Sequence, residues 1–111
     1  MCASIYPMRN LTADDSAYKV IAEAEAHLDA IEVFRANERG SSRPGDPERI
    51  VRINQMLDQM MVWMSPIRSV IARSQWNDHV LTPQQRDRLD EISRGFQLNR
   101  RQLKKMRGPL Y

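Results

Sequence analysis

The chain has 111 residues, 41% hydrophobic and 28% charged, which is room for one domain with its own core and too apolar for a disordered tail. Aromatic residues make up only 6%, with 4 glycines and 6 prolines, a composition lean for a β-sandwich and ordinary for packed helices. No apolar run approaches the roughly 20 residues of a membrane-spanning helix, and a single cysteine, Cys2, forbids an internal disulfide.

The net charge of +3 hides an uneven distribution. Residues 1–38 hold seven acids against three bases, whereas 76–111 hold eight bases against four acids. After Glu91 no acidic side chain follows, while Arg94, Arg100, Arg101, Lys104, Lys105 and Arg107 do. Such a rear half meets either the acidic front of its own bundle or an external polyanion. Residues 1–10 lack the charged start and apolar middle of a secretory signal, and position 2 is not the glycine of a myristoylation site. The expectation is therefore a cytoplasmic protein with an ordinary thiol at Cys2, residues 1–11 forming an extension ahead of the domain.

The first helix is expected over about 12–36, with Thr12 as its cap and Asp15 in the reciprocal position. Ala17, Ile21, Ala24, Leu28 and Ile31 recur at steps of four and three, Val20 and Phe34 widen that stripe, and His27 lies on its flank. Gly40, Ser41, Ser42, Pro44 and Gly45 then mark 37–45 as a loop.

The second helix is expected over about 47–75, opened by Asp46 as cap and Pro47 at the first helical position. Ile50, Ile53, Leu57, Met60, Met64, Ile67 and Ile71 keep heptad spacing, with Met56, Trp63 and Val70 in a parallel column. Pro66 removes one backbone bond, so this helix either kinks there or is broken with Ser65 capping a new one. The apolar register passes through Pro66 in phase, which favours a kinked, continuous helix. Met61 and Val62 fall outside both columns, leaving residues 60–64 apolar around most of the circumference.

After a connection over 74–81, Thr82-Pro83-Gln84-Gln85 reads as a capping box with proline at the first turn and opens the third helix, about 83–107. Leu89, Ile92, Phe96, Leu103 and Met106 share one face. Asn99 sits among them, either as a buried amide that penalises wrong registers or facing water beyond the stripe. Gly108-Pro109 ends the helix, and 108–111 form a tail.

The fold expected is all-α: one domain over 12–107, a three-helix antiparallel (up-down-up) bundle with coiled-coil-like packing. Helices one and three then run parallel, and Glu25 and Glu32 are expected to approach Arg100 and Arg107. For function, no HExxH, CxxC, GxSxG, Walker or GxGxxG pattern occurs, and His27 and His79 lie in separate segments. Glu23 and His27 are one turn apart but have no third ligand nearby, so no metal, cofactor or catalytic residue is assigned. The preferred reading is a non-enzymatic interaction module, a small subunit, adaptor or regulator that binds a protein partner or a second copy. Its apolar surface would be Met60, Met61, Val62, Trp63 and Met64. A nucleic-acid-binding accessory factor using Arg100, Arg101, Lys104, Lys105 and Arg107 is the alternative; a small helical enzyme or anion binder with converging arginines comes third. Membrane-surface binding by the third helix is disfavoured by Asp87, Asp90 and Glu91.

Overall fold

The computed structural model describes residues 2–41, 46–77 and 79–108, with side chains over 17–40, 46–77 and 79–108. Three helices, α1 (Cys2–Ser41), α2 (Pro47–Trp76) and α3 (Pro83–Arg107), account for most of the described residues, which contain no strand. Each packs against the other two in a rod of 61 × 25 × 24 Å, its long axis close to the roughly 60 Å that 40 helical residues span.

Cross-helix pairs fix the directions. His27 meets Trp63 and Glu38 meets Arg52, so α1 and α2 are antiparallel. Arg107 meets Asn54, so α2 and α3 are antiparallel too. Glu25 with Arg88 and Arg35 with Asn99 then make α1 and α3 parallel. This is the up-down-up bundle that the stripes imply.

Local signals set two of the starts. Asp46 accepts a hydrogen bond from the Glu48 amide at 3.1 Å, and Pro47 follows where its missing N–H costs nothing. At α3 the capping box is complete. The Gln85 amide donates to Thr82 Oγ1 at 3.1 Å and the Thr82 amide donates back to Gln85 Oε1 at 3.0 Å. At the far end of α3, Gly108 takes φ 82°, a left-handed turn that glycine adopts without strain. The first helix differs from expectation: α1 runs from Cys2 through Arg39 and Gly40 to Ser41, beyond 12–36 at both ends. Thr12 is therefore inside the helix; its side chain, like those of Cys2 and Asp15, lies outside the described residues, as do 42–45, Asp78 and 109–111.

The core is built from Ala17, Ala24 and Ile31 of α1, Ile53, Leu57, Met60, Met64, Ile67 and Val70 of α2, and Leu89, Ile92, Phe96 and Leu103 of α3. Burying each large side chain contributes about 1.5–3 kcal/mol, the principal force holding the helices together. α2 continues unbroken through Pro66, so Ser65 does not cap a second helix. Proline is tolerated because Pro66 and Val62 are both exposed, leaving water to satisfy the Val62 carbonyl. Beyond it the innermost column changes: Val70 is fully buried and Ile71 only half.

Gly95 lets α3 approach α1 closely. A Cβ there would lie 2.9 Å from Leu28 Cδ2, so Leu28 occupies the place of the missing side chain. One turn on, Asn99 is buried, which settles its two alternatives in favour of the core. Its Oδ1 accepts from Arg35 Nε at 2.7 Å and its Nδ2 donates to the Gly95 carbonyl at 2.8 Å, so the amide is satisfied from α1 and from its own helix.

Candidate interaction surfaces

The five residues assigned to an apolar surface do not share one. Met60 and Met64 point into the core, which withdraws both from any contact with a partner. Trp63 is half-buried, its ring stacked on His27 with centroids 4.2 Å apart and planes 4° apart. His27 is thereby the seam histidine expected, covering a tryptophan face between α1 and α2. Met61 and Val62 stay exposed, at 55% and 64%.

Two further large apolar side chains stand exposed on α2 that the apolar stripes did not single out. Val51 is exposed and Trp76 is 91% exposed, the most accessible large apolar side chain described. Val51, Val62 and Trp76 are spaced by eleven and fourteen residues, close to three and four helical turns, so all three lie along one outer line of α2. Met61 borders that line. The signal was available as the same-face spacing of Val62 and Trp76, on the side of the helix opposite Met60 and Met64.

The second candidate surface is a charged end. The C-terminal part of α1, the start of α2 and the C-terminal part of α3 lie together, as the Glu38–Arg52 and Arg107–Asn54 pairs establish. Arg100, Arg101, Lys104 and Lys105 are exposed there, as is Arg39 from α1. Arg107 is half-buried and donates to Asn54 Oδ1 at 2.8 Å, so it belongs partly to the bundle seam. The pairing expected between Glu25 or Glu32 and Arg100 or Arg107 does not form. Glu25 is level with Arg88, which donates through Nε at 2.8 Å and also reaches Glu91 at 3.0 Å. Those two hydrogen bonds, to Glu25 first, raise the Arg88 guanidinium above its ordinary pKa. Arg52 is raised likewise, chiefly by its hydrogen bond to buried Glu38, which it grips at 2.6 and 3.0 Å.

Of the open grooves along the helices, two adjoin residues considered above. One of about 300 Å³ lies between α1 and α3, lined by Tyr18, Ile21, Ala22, Glu25, Gln84, Gln85 and Arg88, with the Glu25–Arg88 ion pair across it. The other, about 190 Å³, lies over the His27–Trp63 stack between Val20, Glu23, Val62 and Pro66. Glu23 and His27 gain no third partner from the fold, and no cluster of three or more metal-binding side chains occurs among the described residues. No helix among them is long and apolar enough to cross a membrane. Compared with family models, curated proteins and solved structures, the chain matches none.

Proposed function

We propose that this chain is a non-enzymatic interaction module, a small subunit, adaptor or regulator that engages a protein partner or a second copy through the solvent face of α2. The observation that supports this reading is the exposure of Met61, Val62 and Trp76 on one helix whose opposite face already completes the core. Tryptophan is enriched among the side chains that anchor protein interfaces. Covering the three side chains would contribute about 1.5–3 kcal/mol each before the cost of association. Val51 lies on the same side about 37 Å from Trp76, 25 residues at about 1.5 Å each, with the exposed Asp58, Ser65, Ser69 and Arg73 between them.

The test is a Val62→Asp/Trp76→Ala double variant compared with the parent by sedimentation across a concentration series and by pull-down. Association in the parent and its loss in the variant, with helical content unchanged, is the expected result. A parent that stays monomeric at every concentration and captures nothing the variant fails to capture sinks the proposal.

A further inference from the structure

The fold concentrates charge in a way the linear sequence only half displays. At the end where α1 finishes, α2 begins and α3 finishes, Arg35, Arg39, Arg49, Arg52, Arg94, Arg100, Arg101, Lys104, Lys105 and Arg107 gather, ten cations on a chain whose net charge is +3. From the level of Arg100 to the end of the bundle the described residues hold three acids, Glu38, Asp46 and Glu48, all engaged, while the exposed Glu32 and Asp58 lie further back, level with the stretch between Arg94 and Arg100. Glu38 is gripped by Arg52, Asp46 caps α2, and Glu48 lies 4.0 Å from Arg52. Arg39, Arg94, Arg100, Arg101, Lys104 and Lys105 are left facing solvent.

We propose that this end of the bundle binds the phosphodiester backbone of double-stranded nucleic acid without reading its bases. Three observations select that ligand. First, the cations stand on a rigid helix. Arg100 and Lys104 form one row and Arg101 and Lys105 a second, each a single turn apart, and Arg94 prolongs the second row. From Arg94 to Arg107 the helix covers about 20 Å, and a duplex carries one charge per about 1.7 Å with both strands counted, so about a dozen phosphates fall within that length and those on the near side are within reach. Second, no exposed aromatic ring stands among the described cations. The accessible rings, Tyr18 and Trp76, belong to the early part of α1 and the end of α2, at the opposite end of the rod, so single-stranded bases have nothing to stack on. Third, the apolar face of α3 (Leu89, Ile92, Phe96, Leu103) is the bundle core, and Leu98 is the one large apolar side chain exposed on that helix. A lipid surface would therefore receive charge without insertion.

Contacts confined to phosphates make affinity a function of salt. With about five cations engaged, log K falls against log salt with a slope of about −4 to −5. The experiment is fluorescence anisotropy of a short labelled DNA duplex titrated with the full chain at several salt concentrations. Parent protein is expected to bind two duplexes of unrelated sequence alike. The variant R100Q/R101Q/K104Q/K105Q is expected to lose about four units of slope and at least about 100-fold in low-salt affinity. Circular dichroism of the variant checks that the exposed substitutions leave the bundle folded. The Val62→Asp/Trp76→Ala variant is expected to keep the parental slope, which separates this site from the α2 surface. No duplex binding by the parent at low salt overturns the proposal. So does a quadruple variant that binds as the parent does. Tighter parental binding to phosphatidylserine vesicles or to polyglutamate than to duplex transfers the surface to a membrane or an acidic protein, and overturns it as well.

Discussion

Pro66 offers the sharpest test of how this bundle is held together. In a helix interior proline is disfavoured against alanine by about 3 kcal/mol, through its missing N–H and the clash of its ring with the carbonyl four residues back. α2 is nevertheless continuous across it, and the Pro66 side chain is exposed. Replacing it with alanine therefore restores the hydrogen bond to the Val62 carbonyl and removes little packing. With Val62 and Pro66 both exposed, water can reach that carbonyl and relieve part of the penalty in the parent, so the expected gain for Pro66→Ala is about 1–3 kcal/mol. Glycine lacks the clash but costs about 1 kcal/mol against alanine, so the Pro66→Ala variant should be the most stable, Pro66→Gly intermediate and the parent the least. Urea unfolding followed by circular dichroism reads this directly as a higher midpoint with unchanged m, and the melting temperature should rise by about 4 °C or more per kcal/mol. A lower midpoint, or a changed m, would falsify the account: it would mean that proline at this position is what lets both halves of α2 reach α1 and α3.

Phe96 is completely buried, so Phe96→Ala should lower stability by about 3–5 kcal/mol in the same assay, and a loss under about 1 kcal/mol would show that the three stripes do not converge on it. Asn99→Leu leaves Arg35 Nε without its acceptor at a half-buried position and should cost about 1–3 kcal/mol. Adding Arg35→Met to that change should recover most of the loss, since both polar partners are then gone, and strict additivity of the two substitutions would refute their coupling.

What the sequence made legible was what short-range chemistry encodes. The starts of α2 and α3 could be read because Asp46-Pro47 and Thr82-Pro83-Gln84-Gln85 carry their caps within four residues. The ends of α1 could not. Thr12 and Gly40 carry local signals for a boundary, yet the helix continues past both, since a threonine inside a helix is an ordinary polar residue and one glycine costs only about 1 kcal/mol. Spacing within a helix showed which residues share a face, and Met60, Met64, Leu89 and Phe96 are buried accordingly. The level at which one helix meets another is different information, because it depends on how whole stripes interlock. Hence Glu25 was matched to cations far along α3, whereas the register sets it beside Arg88. Trp76 escaped for a related reason: a search for inward stripes stops at the seam near Ser74, and an outward tryptophan two residues later satisfies no core pattern.

The energetics of α3 bear on why its cations are present at all. Arg100 with Lys104 and Arg101 with Lys105 are like-charged pairs one turn apart, each destabilising by a few tenths of a kcal/mol. Attraction to the negative end of the helix dipole offsets some of this within the last turn, but it does not reach Arg100 and Arg101 as it does Lys105 and Arg107. None of the four exposed side chains fills the core, whose apolar members lie on the other face of the helix. Neutralising all four should therefore leave the bundle at least as stable as the parent, while removing its attraction for phosphate. That opposition separates a charge cluster kept for a ligand from one kept for folding, because a structural cluster would lose stability on the same substitution. The outer face of α2 can be tested in the same way: Val62 and Trp76 contribute little burial to the isolated bundle, so replacing them should leave its stability nearly unchanged while removing the proposed association.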